Sequence, residues 1–193
     1  MKVLVETSAR HVHLSRKDID ALFGKDYNLS IKRNLSQPGQ FLSNEKINLS
    51  VNGHTINGIS VLGPERDNTQ VEISLTDSRK LKLNVPIRES GDILETPGGI
   101  LVGPNGSTEI KNGIIVAKRH IHMPLDDALK NGFKNGDECN LEIKTNERSV
   151  IFAQTIVRVN NNFKLAAHID TDESNAAGIF SQTFGEITKK KLF

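Results

Sequence analysis

Short runs of alternating apolar and polar residues dominate this chain. Such runs, rich in Val and Ile, occupy residues 2–6, 46–51, 58–62, 70–76, 80–85, 114–117, 140–144 and 149–159. Because successive strand side chains point to opposite faces, this alternation predicts β-strands with one buried face. Turn dipeptides such as Asn52-Gly53, Asn57-Gly58 and Asn112-Gly113 separate the runs. The pattern predicts a mainly β protein built from small β-barrels, with few helices.

Two of the predicted helices follow nearly identical segments. After residues 9–14 (ARHVHL), Ser15 and Asp18 form a capping pattern, and Gly24 ends the helix. After residues 118–123 (KRHIHM), Pro124 suits a first helical position and Gly132 ends the helix. The duplicated unit is therefore a strand, a His-x-His pattern and a short helix. Its two copies lie far apart in the chain, which predicts two related domains rather than a solenoid.

Glycine and proline are concentrated between the two copies, in residues 90–113. This stretch contains Pro97-Gly98-Gly99 and Gly103-Pro104-Asn105-Gly106. On composition alone, we expect a linker here.

The bulk composition fits a globular protein and excludes several classes. The 193 residues are 36% hydrophobic and 25% charged, and the formal net charge is +2, which is too small to indicate nucleic acid. A single cysteine excludes a disulfide framework and fits a reducing compartment. Since neither a signal peptide nor a long apolar span is present, we expect a cytoplasmic protein that binds no membrane.

Four of the six histidines lie in the two His-x-His patterns. Residues i and i+2 of a strand project from one face about 7 Å apart, so two imidazoles so placed can hold one cation. A single pair is most often a surface pair, but duplication of so rare a residue favours a metal centre. His168 and Glu72 are further candidate ligands, since mixed His and Glu ligation is ordinary for zinc. Each also has a plain structural interpretation, and the residues alone leave that choice open.

Arginine and cysteine bear on the substrate and on the mechanism. Arg66 follows a Gly-Pro turn just before the strand with Glu72, where its guanidinium could bind phosphate oxygens in a bidentate fork. Arg10 and Arg119 adjoin the two histidine pairs. Cys139 lies among acidic residues that raise a thiol pKa, so a structural role is favoured over a nucleophilic one.

Seven segments together carry a family resemblance: 8–15 (SARHVHLS), 35–41 (LSQPGQF), 61–66 (VLGPER), 69–74 (TQVEIS), 85–92 (VPIRESGD), 118–122 (KRHIH) and 168–173 (HIDTDE). In this order they resemble the PduL-type phosphate acyltransferases, the phosphate propanoyltransferases. The resemblance covers the chain from about residue 3 to about residue 178. It implies the interconversion of acyl-CoA and phosphate with acyl phosphate and free CoA. Propanoyl and acetyl groups stay equally open as the acyl group.

The resemblance also implies an architecture and a set of site residues. It implies two β-barrel domains, residues 1–9 with 118–193 and residues 10–117, with a two-zinc site between them. One metal set would comprise His11, His13 and His168, and the other Glu72, His120 and His122. Arg66 would hold phosphate. The residues that would contact CoA are Ser8, Arg33, Leu62 and Asn175.

Two departures from the family pattern affect these expectations. Ser60 stands where a basic residue is expected. The expectation that this position binds the CoA pyrophosphate is therefore weakened. The first strand starts at residue 2, so no amphipathic microcompartment-targeting extension is visible. This favours a housekeeping role in acetate or propionate metabolism in the cytoplasm. A homodimer is the assembly that the resemblance implies.

Two other function classes stay open at this level. A dizinc esterase or phosphatase would use the same histidines to activate water. A zinc-binding or CoA-sensing module would use them without catalysis. Because no activated nucleophile is visible, direct acyl transfer in a ternary complex is the predicted mechanism.

Overall fold

The computed structural model describes residues 1–189, in which short strands far outnumber helices. The strands are β1 (Lys2–Ser8), β2 (His11–His13), β3 (Ile31–Asn34), β4 (Phe41–Val51), β5 (His54–Gly63), β6 (Gln70–Glu72), β7 (Ile87–Arg88), β8 (Gly99–Val102), β9 (Ser107–Ile110), β10 (Ile114–Ala117), β11 (His120–Met123), β12 (Glu138–Ile143), β13 (Val150–Val159), β14 (Ala166–Asp170) and β15 (Thr183–Lys189). The helices are α1 (Arg16–Phe23), α2 (Leu75–Lys80), α3 (Leu125–Asn131) and α4 (Thr171–Ala176). The predicted mainly β fold with a few short helices is confirmed.

The chain divides into two compact units. One unit consists of Met1–Ser8 and the chain from Lys118 onward, and the other is Ala9–Ala117. Each unit has a hydrophobic core of its own. The first strand therefore belongs with the C-terminal half of the sequence.

The unit that begins at Met1 is a closed six-stranded barrel. Its strand order is β1-β14-β11-β13-β12-β15, and β15 pairs with β1 to close it. Val5, Ile121 and Ala167 come from three adjacent strands and pack into its core. Because strand side chains alternate, the residues beside them point away from that core.

The unit Ala9–Ala117 contains a nine-stranded sheet. The strand order is β7-β10-β6-β2-β5-β4-β8-β9, and β3 pairs with β4. The short strand β2 lies parallel to β5 and antiparallel to β6. Val12 and Val71, from β2 and β6, are completely buried in its core.

The duplicated strand, His-x-His and helix unit is present in both halves. The Ser15 hydroxyl accepts a hydrogen bond from the Asp18 amide and caps α1, as the sequence predicts. Gly132 ends α3 in the left-handed conformation, but Pro124 lies at the N-cap of α3 and not in its first turn. No helix within residues 1–189 is long and apolar enough to cross a bilayer.

Two strand predictions are wrong in part. The run 70–76 is a strand only over Gln70–Glu72, because Ser74 accepts a hydrogen bond from the Asp77 amide and starts α2. The run 80–85 contains the end of α2 and then a turn at Lys82, where φ is +50°. A helix cap and a left-handed turn override the alternation in these segments.

The expected linker at residues 90–113 is also wrong. Strands β8 and β9 lie inside it, and β8 pairs with β4. A Cβ on Gly98 would overlap the Ile110 carbonyl, and a Cβ on Gly103 would lie 2.5 Å from the Leu22 carbonyl. These glycines therefore permit close packing of two backbones, which composition cannot distinguish from flexibility.

Candidate metal centres

The first candidate centre is formed by two neighbouring strands, β2 and β6. His11 on β2 lies opposite Glu72 on β6 in the antiparallel register. Val12 and Val71 fill the core, so the flanking His11, His13 and Glu72 side chains share the opposite face. All three residues are nevertheless less than a tenth exposed. The alternation thus presents two imidazoles and a carboxylate together.

The donor atoms of this group are close enough to share one ion. One such atom from each of His11, His13 and Glu72 lies within 4.8 Å of the others. His11 Nδ1 donates to the Ala9 carbonyl at 2.8 Å, so that in the neutral imidazole Nε2 is the electron-pair donor, and Nε2 lies 3.4 Å from Glu72 Oε2. His13 Nδ1 is buried and has no hydrogen-bond partner in residues 1–189. A buried nitrogen in this state fits a metal ligand.

The electrostatics of the two imidazoles differ because of their neighbours. Burial lowers the pKa of His11, but the Glu72 carboxylate and the Ala9 carbonyl outweigh it, so the pKa lies above the ordinary 6.5. Burial, followed by the positive charges of His11 and Arg66, lowers the pKa of His13 well below 6.5. His13 is therefore neutral at physiological pH, which is the form that binds metal ions.

The second candidate centre lies on the barrel of the other unit. His120 and His122 come from β11, and His168 from β14 faces His120 in the antiparallel register. One donor atom from each of the three lies within 4.8 Å of the others. His168 therefore lies opposite the first histidine of its pair, as Glu72 lies opposite His11.

The histidines of the second group repeat the bonding of the first. His120 Nδ1 donates to the Lys118 carbonyl at 2.9 Å, as His11 does to Ala9. His122 Nδ1 is buried and, within residues 1–189, has no hydrogen-bond partner. Burial, with the neighbouring His168 and His120, lowers the pKa of His122 to about 2. His13 and His122, the second histidine of each pair, are thus neutral and buried. Each has a free electron pair, which fits a metal ligand.

The six predicted ligands therefore fall into two groups, each inside one unit. His11, His13 and Glu72 form one group, and the remaining three histidines form the other. The division that the resemblance implies, with His168 beside His11 and His13, takes residues from both units and stays a prediction. Imidazole and carboxylate ligands suit zinc and other divalent transition metals.

Arg66 lies beside the first group, in a small cavity. This cavity of about 280 Å³ is lined by His13, Pro38, Gly39, Gln40, Gly63, Pro64 and Arg66. Gly63 makes room for the Phe41 ring, which a Cβ at that position would overlap. The Gly-Pro turn therefore brings the predicted phosphate-binding guanidinium and a predicted metal ligand to the wall of one cavity.

A hydrogen-bond network that sequence reasoning missed connects Arg66 to Glu72. Arg66 Nη1 donates to Ser90 Oγ at 3.1 Å, and Gln70 Nε2 donates to the same oxygen at 2.9 Å. Gln70 Nε2 also donates to Glu72 Oε1 at 2.6 Å, while the Gly91 amide donates to Gln70 Oε1 at 2.7 Å. The signal for Gln70 was its position two residues before Glu72 on one strand. Ser90 gave no signal beyond its place in segment 85–92.

The arginines that precede the histidine pairs contact carboxylates. Arg10 Nη1 lies 3.0 Å from Asp77 Oδ1 of α2. Arg119 Nη1 lies 2.7 Å from Glu173 Oε1 of α4, in the other unit. Helix α2 follows β6, the partner of β2, and α4 follows β14, the partner of β11. These ion pairs give both arginines a structural role.

Cys139 has the properties of a structural thiol. Its side chain is completely buried, and Sγ donates to the Thr155 carbonyl at 3.3 Å. Burial, with a smaller contribution from Asp137, raises its pKa to about 12. A protonated and inaccessible thiol is a poor nucleophile, and burial contributes more to the raised pKa than the acidic neighbours on which the prediction rested.

The residues predicted to contact CoA lie in pairs, one pair in each unit. Ser8 ends β1 opposite Asp170, the N-cap of α4, and Asn175 lies within that helix. Arg33 on β3 and Leu62 on β5 both lie opposite Leu42 of β4, one on each side of it. The two residues are therefore at the same level of the sheet. Their role in binding CoA stays a prediction.

The strand next to Ser60 carries a positive charge, although Ser60 itself replaces the expected basic residue. Ser60 lies opposite His11 on one side and opposite Lys46 on the other. Lys46 is exposed on β4. The sheet therefore carries a cation one strand from the expected position.

The fold and the sites together define a class: a β protein with two units, each bearing a histidine-rich group that fits a metal ion. Residues 4–180 match the phosphate propanoyltransferase family. A phosphate propanoyltransferase of Enterococcus faecalis is 45% identical over 185 residues, covering 96% of this chain and 87% of its own length. One from Thermotoga maritima is 44% identical, covering 91% and 83%. One from Listeria monocytogenes is 45% identical, covering 97% and 88%. The chain belongs to the phosphate propanoyltransferase family, which confirms the resemblance.

Proposed function

We propose that this protein transfers a short-chain acyl group, propanoyl or acetyl, between CoA and inorganic phosphate. The observation that carries the proposal is the cavity that holds both Arg66 and His13. A guanidinium there fits a phosphate dianion, and the adjacent histidine belongs to a group suited to a divalent cation. Family membership supports the same activity.

The residues would divide the work as follows. Arg66 would bind two phosphate oxygens and direct a third at the thioester carbonyl, so that orientation contributes much of the rate. That oxygen forms a bond to the acyl carbon, the carbon–sulfur bond breaks, and the sulfur leaves with the electron pair and takes up a proton. Ser90 would fix Arg66 through their hydrogen bond. Transfer is direct, since the buried thiol of Cys139 is unsuited to carry the acyl group.

The two histidine-rich groups would each hold one Zn²⁺, six ligands in all. In place of the division that the resemblance implies, we propose that His11, His13 and Glu72 would hold one ion, and His120, His122 and His168 the other, because the donor atoms within each of these sets lie within 4.8 Å of one another. The ions would polarise the thioester carbonyl and stabilise the CoA thiolate as it departs. Ser8, Arg33, Leu62 and Asn175 would contact CoA, and Lys46 would supply the charge expected at Ser60.

The decisive experiment measures release of CoA thiol with 5,5′-dithiobis(2-nitrobenzoate), from propanoyl-CoA and from acetyl-CoA. Thiol release that requires phosphate, with acyl phosphate formed in equal amount, supports the proposal. Thiol release without phosphate indicates a hydrolase, and binding without release indicates a sensing module. Burst kinetics with an isolable acyl-enzyme on Cys139 would contradict direct transfer.

Substitution of Arg66 tests the phosphate site. Arg66→Ala removes two charge-assisted hydrogen bonds to phosphate, which is worth about 3 kcal/mol, or somewhat more than 100-fold in kcat/KM for phosphate. Lys80→Ala is the control, since Lys80 is an exposed cation at the end of α2. Full activity of the Arg66→Ala variant would exclude Arg66 from the site.

A cytoplasmic homodimer is the state we infer from the resemblance. Light scattering on the purified protein should then give about twice the 21.3 kDa of one chain. A mass of one chain would contradict the dimer.

A further inference from the structure

Gln70 belongs to the first candidate centre by its position, although it is not one of the predicted ligands. On β6 it lies two residues before Glu72, and it faces His13 of β2 as Glu72 faces His11. Val71 between them packs into the core, so the four polar side chains share one face of the sheet. Gln70 is only 2% exposed. A buried amide therefore lies among the two imidazoles and the carboxylate of this centre.

The second candidate centre has an alanine at the matching position. Ala166 of β14 lies opposite His122, the second histidine of its pair, as Gln70 lies opposite His13. Ala166 is also buried. The duplicated strand pairing therefore forms with a methyl group at this position and does not require an amide. The role of Gln70 must come from the contacts that it makes in the first centre.

The neighbours of Gln70 fix the direction of its amide. The Gly91 backbone N–H donates to Oε1 at 2.7 Å, and because an N–H can only donate, the atom that faces it must be the oxygen. Nε2 then donates one hydrogen to Glu72 Oε1 at 2.6 Å and the other to Ser90 Oγ at 2.9 Å. One side chain is thus bonded both to a predicted metal ligand and to the serine that contacts Arg66.

These two bonds direct the groups on either side of Gln70. Glu72 Oε1 accepts from the amide, and Glu72 Oε2 is the oxygen that lies 3.4 Å from His11 Nε2. The amide therefore turns one carboxylate oxygen toward the histidines, where an ion would lie. Ser90 Oγ accepts from Arg66 Nη1 as well as from Gln70. The amide therefore also holds the oxygen to which the guanidinium donates.

We propose that Gln70 is a positioning residue for both the metal and the phosphate of the reaction. It directs Glu72 toward the divalent cation and, through Ser90, directs Arg66 toward phosphate. Gln70 acts through these residues, because its oxygen and both of its amide hydrogens already have partners. The inference rests on the proposed function, in that it takes the first group to bind Zn²⁺ and Arg66 to bind phosphate.

The first test is Zn²⁺ binding by the Gln70→Met variant, which keeps the length of the side chain and removes its amide. Affinity is measured by competition with a chromophoric chelator, in a His122→Ala background that weakens the other group. We expect an affinity about 10- to 100-fold lower, as for other residues that orient a metal ligand. Gln182→Met is the matched control, because Gln182 is an exposed glutamine in the other unit, and it should change nothing.

A double-mutant cycle separates positioning of Glu72 from a general loss of structure. In a Glu72→Ala background, Gln70→Met should change the Zn²⁺ affinity less than about twofold. An equal loss in both backgrounds would overturn the proposal, because Gln70 would then act independently of the carboxylate.

The phosphate role is tested by calorimetric titration of inorganic phosphate into each protein at saturating Zn²⁺, without CoA. Gln70→Met should weaken phosphate binding about 2- to 10-fold, the effect of one neutral hydrogen bond. In a Ser90→Ala background the same substitution should change it less than about twofold. Unchanged phosphate affinity in Gln70→Met would overturn this part of the proposal.

Spectra of the wild type test the same contacts without a substitution. The ¹H–¹⁵N resonances of the Gln70 side-chain amide should shift when Zn²⁺ is added and shift again when phosphate follows. If the wild type binds Zn²⁺ and phosphate but these resonances do not move, this inference falls while the proposed function stands. If the wild type binds no divalent ion, both fall.

Discussion

Replacement of Ser90 by alanine tests whether the phosphate-binding arginine is held in place by its neighbours. The Ser90 hydroxyl accepts hydrogen bonds from Arg66 Nη1 at 3.1 Å and from Gln70 Nε2 at 2.9 Å. Ser90→Ala removes that acceptor without adding bulk. The guanidinium and its charge remain, but one of the contacts that fix its direction is lost.

The magnitude follows from the kind of bond removed. A hydrogen bond to a charged group contributes about 1.5–3 kcal/mol, and the half-buried position of Ser90 places it at the lower end. About 1.5 kcal/mol corresponds to roughly a tenfold higher KM for phosphate. The KM for acyl-CoA should not change. Gln70 also bonds Glu72, so metal content should fall little.

The assay is steady-state thiol release at varied phosphate, carried out as a double-mutant cycle with Arg66→Ala. If Ser90 acts through Arg66, Ser90→Ala should change the KM for phosphate less than about twofold once Arg66 is alanine. Ser50→Ala, at the β4–β5 hairpin, is the matched control. An equal loss in both backgrounds would refute the reasoning, because Ser90 would then act independently of Arg66.

Two further predictions concern stability and one concerns the metal. Ile121→Ala should lower the free energy of unfolding by about 2–5 kcal/mol, measured by urea denaturation, because Ile121 is completely buried between the two histidines. Ile151→Ala, at a 61% exposed position, should change it by less than about 0.5 kcal/mol, and equal losses would contradict this. Cys139 is protonated when folded up to a pKa of about 12, against 9.0 ordinarily, so the folded state binds more protons between these values. Stability should thus fall as pH rises from 9 to 12, and less steeply in Cys139→Ser; identical pH profiles would contradict the assigned pKa. Exhaustive chelation should abolish phosphate-dependent thiol release and Zn²⁺ should restore it; full activity of metal-free protein would exclude a metal role.

Much of the local structure around the histidines could be predicted from the sequence. The apolar residues between and after the paired histidines give the alternation of a β-strand, and the capping pattern at Ser15 predicts the start of α1. Both signals are local, so a short window of sequence contains them. The same holds for the closing glycine of α3.

The errors arose where distant contacts, or a second local signal, decide the structure. Residues 90–113 read as a linker because their glycines are abundant, yet those glycines let strands β8 and β9 pack closely. Ser74 and Asp77 have the same capping pattern as Ser15 and Asp18, but the pattern lies within a run of alternating residues that also predicts a strand. Pattern alone does not say which of two overlapping local signals prevails.

The site could be predicted only in part for a related reason. The resemblance named the six candidate ligands and Arg66, but pairing across strands decides which of them meet. His168 and Glu72 occupy matching places opposite the two pairs because β14 and β6 pair in the same way. Likewise, Glu6 lies opposite His168 because β1 pairs with β14, and no local pattern predicts that pairing.

The return of β1 to the C-terminal half has a consequence for synthesis. Among the strands of residues 1–189, β1 leaves the ribosome before all others, whereas its neighbours β14 and β15 are made after all others. At about 5–20 residues per second, both edges of β1 wait roughly 10–30 s for their partners. The unit Ala9–Ala117 is complete well before then. During translation one unit can therefore fold while an unpaired strand is held at its N-terminal side, and exposed strand edges of this kind are where aggregation begins.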